Sequence, residues 1–156
     1  VGVVLVVEDD PINAVLTETV LRRDGHRVLM TGEGAAALDI VARRLPDLVL
    51  LDLSLAGSMT GLDVCRAIRA NPATARIPVL VVSGWTFESD VAAAHAAGAD
   101  GYLAKPIAAA DLQSGVKELI DRAATSSGAG SPIASASATA PADHGRSPRP
   151  PGRESA

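Results

Sequence analysis

Aromatic residues are almost missing from this 156-residue chain: Trp85, Phe87 and Tyr102 are the only three, 2% of the total. Hydrophobic residues still make up 47%, so a core is expected, and it has to be aliphatic. Cysteine occurs once, as Cys65, which excludes an internal disulfide and any multi-cysteine metal cluster. Long apolar runs are absent as well. Val3–Val7 and Pro78–Val82 fall far short of the ~20 residues a helix needs to span a bilayer. Basic charge is not in excess either, with Lys+Arg 14 against Asp+Glu 18 and a net charge of -4. That balance argues against a nucleic-acid surface, which shows as a clustered basic excess. No secretory signal pattern is visible. The expectation is a cytoplasmic aliphatic domain with neither membrane nor nucleic acid among its partners.

Composition changes sharply near Thr125. Residues 125–156 hold five of the ten prolines, are rich in Ser, Ala and Gly, and carry Ile133 as their one large aliphatic side chain. Such a segment buries too little apolar surface to offset its ordering entropy. Residues 125–156 are therefore expected to be a disordered Ser/Ala/Pro-rich tail behind a domain of residues 1–124. Ser147-Pro148-Arg149-Pro150-Pro151 could serve a proline-binding module, but a solvated tail is the favoured reading.

Residues 1–124 alternate between two kinds of segment. Val3–Val7, Leu48–Leu51 and Val79–Val82 are short, unbroken aliphatic runs, the mark of strands covered on both faces. Val28–Met30 and Tyr102–Ala104 predict two weaker strands. Between them lie helical patterns that place Ile12, Val15, Leu16 and Val20 on one face, and Leu38, Val41, Ala42 and Leu45 on another. The last helix aligns Leu112, Val116, Leu119, Ile120 and Ala123. Five strands, each followed by a helix, predict a doubly wound α/β fold: a five-stranded parallel sheet with helices on both faces, flavodoxin-like.

Polar residues gather where the strands end. The first strand runs into Glu8-Asp9-Asp10, the third ends at Asp52, the fourth at Ser83, and Lys105 follows the fifth. In an open parallel sheet these ends share one edge. Three carboxylates brought together repel one another unless a cation sits among them. Oxygen ligands without His or Cys favour a hard ion, Mg²⁺ in particular. One carboxylate could then attack an electrophilic phosphoryl group, with Lys105 and Ser83 donating to the phosphoryl oxygens. Singly, each residue has a plainer reading, and Asp10-Pro11 is best read as a helix N-cap followed by proline at the first helical position. The set of four strand ends in one order carries the argument.

As a set, these residues resemble the receiver domain of bacterial two-component response regulators, including the stand-alone chemotaxis type. The resemblance covers roughly residues 3–124. It rests on Val6-Val7-Glu8-Asp9-Asp10, Asp47-Leu48-Val49-Leu50-Leu51-Asp52-Leu53, Val82-Ser83-Gly84 and Gly98-Ala99-Asp100-Gly101-Tyr102-Leu103-Ala104-Lys105-Pro106. It implies that Asp52 is the phosphoacceptor, that Asp9 ligates Mg²⁺ directly and Glu8 mainly through water, and that the Ser54 carbonyl completes the protein's share of the metal shell. It implies further that Ser83 is the switch hydroxyl, Tyr102 the rotating aromatic and Lys105 the phosphate-pairing cation. The Lys105–Pro106 bond is cis in many relatives. The implied donor is a sensor histidine kinase or a histidine phosphotransfer protein, and output passes to an unknown downstream protein. Self-phosphorylation and autodephosphorylation are implied, with no separate substrate turned over. Two departures stand out: Ala56 replaces the usual proline four residues past the acceptor, and the following Gly61 comes one residue late.

Two other function classes compete. A pseudo-receiver adaptor acting without phosphorylation would not need the intact acidic pair, acceptor, hydroxyl and lysine. Gly32-Glu33-Gly34-Ala35-Ala36-Ala37 matches the G-x-G-x-x-A fingerprint of dinucleotide binding. It follows the second strand rather than the first, however, and leaves Glu8, Asp9, Ser83 and Lys105 unexplained, so a turn and helix start is the better reading. Cys65 is expected in the core, and His26 and His95 at the surface or at helix ends.

Overall fold

The computed structural model describes residues 2–55, 57–84 and 88–139. Ten elements follow in strict alternation: β1 (Val3–Val7), α1 (Pro11–Arg23), β2 (Arg27–Thr31), α2 (Gly34–Arg44), β3 (Leu48–Asp52), α3 (Gly61–Ala70), β4 (Val79–Ser83), α4 (Glu88–Ala96), β5 (Gly101–Ala104) and α5 (Ala109–Thr139). The five strands pair in the order β2-β1-β3-β4-β5, every pair parallel. This is the expected doubly wound sheet.

Strand position explains which apolar runs were strong. β3 and β4 are buried at every residue because helices cover both faces of the sheet's middle. β2 and β5 are the edges, and their side chains are mostly half-buried or exposed. Alternate residues of the central strands feed two separate layers. Leu5, Val7, Val49, Leu51, Val79 and Val81 pack with Ala37, Val41, Val64 and Ile68 of α2 and α3. Val4, Val6, Leu48, Leu50, Leu80 and Val82 pack with Leu21 of α1 and Leu112, Val116 and Leu119 of α5. Cys65 lies in the first layer, fully buried, its thiol donating to the Ala97 carbonyl at 3.4 Å.

The face expected of α1 is corrected. Ile12, Val15 and Leu16 are 72%, 58% and 60% exposed, and the residues on the sheet are Ala14, Thr17 and Leu21, with Val20 half-buried. Two stripes one residue apart share the same period, and the buried one carries the small side chains of Ala14 and Thr17. In α2, likewise, Val41 is buried but Ala42 and Leu45 are exposed; Gly34 and Ala37 complete the inner stripe. The α5 stripe is as expected, with Ile120 and Ala123 half-buried. His26 is at a helix end, as expected, its backbone N–H closing α1 on the Leu21 carbonyl at 3.1 Å. It is buried after α1 and accepts the Gly2 N–H at Nδ1, 3.1 Å away. His95 sits in the last turn of α4.

The chain divides into two units, Val1–Ala123 and Ala124–Ala156. The helical backbone of α5 runs on to Thr139, where residues from 125 onward were expected to lack structure; alanine, the strongest helix former, recurs through it. Residues 140–156, with the proline-rich Ser147–Pro151 segment, lie outside the described residues. No helix among the described residues is long and apolar enough to cross a membrane.

Candidate functional site

The parallel sheet delivers its carboxyl ends to one edge. β1 ends at Val7, so Glu8 and Asp9 follow at the rim, and Asp52 closes β3 beside them. Carboxylate oxygens of Glu8, Asp9 and Asp52 all lie within 4.8 Å of one another. Asp10 is the N-cap of α1, accepting the Ile12 N–H at 2.9 Å with Pro11 starting the helix, as the sequence led one to expect. The Asp10 N–H in turn donates to Glu8 Oε2 at 3.1 Å, and the Glu8 N–H donates to the Thr31 carbonyl at 3.0 Å.

Lys105 follows β5, held by its own N–H on the Ser83 carbonyl at 2.9 Å. Its ammonium reaches Asp52 Oδ2 at 2.9 Å and Glu8 Oε1 at 3.2 Å. The Lys105–Pro106 peptide is cis. Asp52 is 3% exposed, and its Oδ1 accepts the Ser54 N–H at 2.9 Å. Ser83 is fully buried at the end of β4 and pairs with Ala104. Tyr102, in β5 opposite Val81, is half-buried against the first core layer. Trp85 and Ala56 lie outside the described residues.

Electrostatics follow from this crowding. Burial, a hydrogen bond with Asp52 and the like charge of Asp52 push the Glu8 carboxyl from its ordinary value up to about 7. Burial alone would lower Lys105, but its bonds to Asp52 and Glu8 and their charges outweigh it, so the ammonium is held more firmly than usual. With all three carboxylates ionised, above the range in which Glu8 titrates, one ammonium leaves two negative charges in the cluster. An all-oxygen donor set with that residual charge fits a hard divalent cation.

Two contributors had no role at the site legible in the sequence: Gly61 stood out only as a glycine one residue late in the family pattern, and Arg69 not at all. Gly61, at the start of α3, packs directly on the Asp52 backbone. Arg69 of α3 ties together the segments that carry β4 and β5. Both depend on tertiary neighbours that no local pattern announces. The Gly32-Glu33-Gly34 stretch is, as expected, a turn leading into α2. It lines, with Asp9, Gly57, Ser58 and Met59, a cleft of about 490 Å³ beside the acidic cluster.

A family model of the response regulator receiver domain matches residues 4–117. Among curated proteins, the DNA-binding response regulator MtrA of Mycolicibacterium smegmatis is 40% identical over 119 residues, covering 76% of this chain and 50% of that protein. This chain spans about half the length of the curated relatives it matches. A solved structure of a putative response regulator from Chloroflexus aurantiacus superposes with a TM-score of 0.74 at 33% identity, covering 77% of this chain and 98% of that one. The receiver domain of a sensor histidine kinase from Pseudomonas aeruginosa does so with a TM-score of 0.72 at 32% identity, covering 77% and 98%, and has a magnesium ion coordinated in its active-site cleft. With its alternating fold and its acidic rim, the chain belongs to the response regulator receiver domain family.

Proposed function

We propose that Asp52 accepts a phosphoryl group from a histidine kinase or a histidine phosphotransfer protein, and that the receiver signals through contacts with another protein. The observation that carries this reading is the Asp52 carboxylate itself: nearly buried, within 4.8 Å of two further carboxylates and 2.9 Å from the Lys105 ammonium. In the transfer, a carboxylate oxygen of Asp52 forms a bond to phosphorus as the bond from phosphorus to the donor imidazole breaks. Lys105 pairs with the phosphoryl oxygens, and the Ser54 N–H steadies the carboxylate. Asp9, Asp52 and the Ser54 carbonyl would hold Mg²⁺, with Glu8 acting through water. The ion supplies neutralisation of the charge between acceptor and phosphoryl group. No separate substrate is turned over, and the cytoplasm, where phosphohistidine donors act, is the proposed location.

Labelling by acetyl phosphate tests the reading. Wild-type protein is expected to take up label with Mg²⁺ and to lose that ability in EDTA. Equal labelling in EDTA would remove the metal from the proposal. Acid should weaken the metal's hold, because a Glu8 carboxyl that titrates near 7 takes up a proton below that pH and so removes a negative charge from the site. Mg²⁺ affinity should therefore fall as pH drops through ~7. An affinity that stays level between pH 8 and 6 contradicts this coupling.

The proposed switch starts at Ser83, whose hydroxyl turns to hydrogen-bond the phosphoryl group, leaving space that Tyr102 fills by rotating inward. A ligand shifts such an equilibrium only through differential contact, here one charge-assisted hydrogen bond and the Lys105 pair. Beryllofluoride is expected to shift amide resonances across α4, β5 and the first turns of α5. Unchanged resonances there would place the output surface elsewhere.

A further inference from the structure

Asp52 is secured on three sides that face the rim or the sheet. The Leu53 N–H donates to the Val82 carbonyl at 3.1 Å, fixing the strand end to β4. The Ser54 N–H and the Lys105 ammonium hold the two carboxylate oxygens. The fourth side is closed by the first turn of α3. Gly61 there is buried, and a methyl group on its Cα would overlap the Asp52 carbonyl oxygen, stand 2.7 Å from Leu53 Cα and stand 3.1 Å from the Asp52 carbonyl carbon. All three are backbone atoms, so no side chain can swing aside. The strand end itself would have to move.

That turn is built to stay in place. Thr60 Oγ1 accepts the Asp63 N–H at 3.1 Å, and Asp63 Oδ2 accepts the Thr60 N–H at 3.0 Å. The Thr60 N–H bond holds the Asp63 carboxyl below its ordinary range. Val64, one step further, is anchored in the first core layer. We infer that Gly61 is a positioning residue for Asp52: the capped first turn of α3, seated on the acceptor's own carbonyl, braces the strand end from behind. The inference rests on the reading of Asp52 as acceptor. Its chemical consequence follows from orientation, since a displacement of about 1 Å of a reacting group can lower a rate on the order of 100-fold.

Other glycines supply the comparison. A methyl group at Gly101, in β5, would meet Leu80 Cδ1 at 2.9 Å, the tip of a side chain rather than backbone. Wild type, Gly61→Ala, Gly101→Ala and Thr60→Val are titrated with radiolabelled acetyl phosphate in Mg²⁺, with folding of each verified by far-UV circular dichroism at the assay temperature. Gly61→Ala is expected to lose about tenfold or more in the saturating rate, with half-saturation unchanged and the Ser54 amide resonance displaced. Gly101→Ala is expected to keep the wild-type rate. Gly61→Ala running at the wild-type saturating rate overturns the brace. Should Gly61→Ala not fold, Thr60→Val decides: it loosens the same turn without added bulk on Asp52, so a lowered saturating rate supports the brace and a wild-type rate overturns it. Label on wild type at a residue other than Asp52 would instead strike the acceptor assignment, a separate outcome.

Discussion

Asp52→Asn is expected to abolish labelling by acetyl phosphate and to leave the fold as stable as before, or more so. Asparagine has the same shape, and its amide oxygen can still accept the Ser54 N–H that Asp52 Oδ1 accepts at 2.9 Å. What disappears is the nucleophile, and an amide does not replace a carboxylate in attack on phosphorus. Stability should not suffer, because the substitution removes one of three crowded carboxylates. Lys105 keeps Glu8 at 3.2 Å. The Glu8 carboxyl, raised to about 7 partly by Asp52, should then relax towards its ordinary value.

The sign of the accompanying pH effect is fixed. A carboxyl with a higher value in the folded chain than in the unfolded one, about 7 against 4.5, gives stability that is fully present below 4.5. That stability is lost as pH rises through 7. Without Mg²⁺, wild type should weaken between those limits and Asp52→Asn should weaken less. Label retained on Asp52→Asn would overturn the acceptor assignment. A melting temperature that falls in the mutant would overturn the account of the cluster's repulsion.

Arg69→Met is expected to have the largest effect on stability of any single change outside the core. The guanidinium makes four bonds: Nε to the Gly98 carbonyl at 2.9 Å, Nη1 to the Ala75 and Ile77 carbonyls at 3.1 and 2.6 Å, and Nη2 to Asp100 Oδ2 at 2.5 Å. Asp100 Oδ2 also accepts the Val79 N–H at 2.9 Å. One cation thus joins α3 to the start of β4 and to the turn before β5. Methionine fills much of the volume but leaves these carbonyls without their donor. Discounting for the 22% exposure of the side chain, the loss should be about 3 kcal/mol. That corresponds to a melting temperature lower by roughly 10 °C for a domain of this size. Arg122, paired with Glu118 on the exposed face of α5, is the comparison, and its replacement should change little. A loss below about 1 kcal/mol for Arg69→Met, read by urea unfolding, would mean water replaces the guanidinium at little cost.

The acidic rim was legible in the sequence because a parallel sheet maps chain order onto space: residues that follow separate strands must meet at one edge. Glu8, Asp9, Asp52 and Lys105 needed only that rule. Val3–Val7 was legible to the residue, since both its faces are covered. Arg27 and Thr31 at the ends of β2 were not, because an edge strand has no unbroken apolar run to betray its length. The outward turn of Ile12, Val15 and Leu16 was missed for a different reason. Periodicity reports that a helix has an apolar stripe, while the gap left by the sheet decides which stripe goes inside. Gly61 was visible only as a glycine displaced by one residue from the family pattern, and Arg69 not at all, because each acts through the backbone of another segment.

The separation of the two packing layers has a consequence for how damage spreads. Leu5 and Val6 share a peptide bond, yet one is lodged with α2 and α3 and the other with α1 and α5. Their only common medium is the hydrogen-bonded backbone of the sheet. Truncations at these two positions should therefore behave as strangers, with losses that simply add, as for sites without shared partners. Val6 and Leu119 stand more than a hundred residues apart in the chain but occupy one layer, and there the second truncation meets a packing already relaxed by the first. Nearness along this chain is a poor guide to interdependence, and the parity of a residue within its strand is a better one.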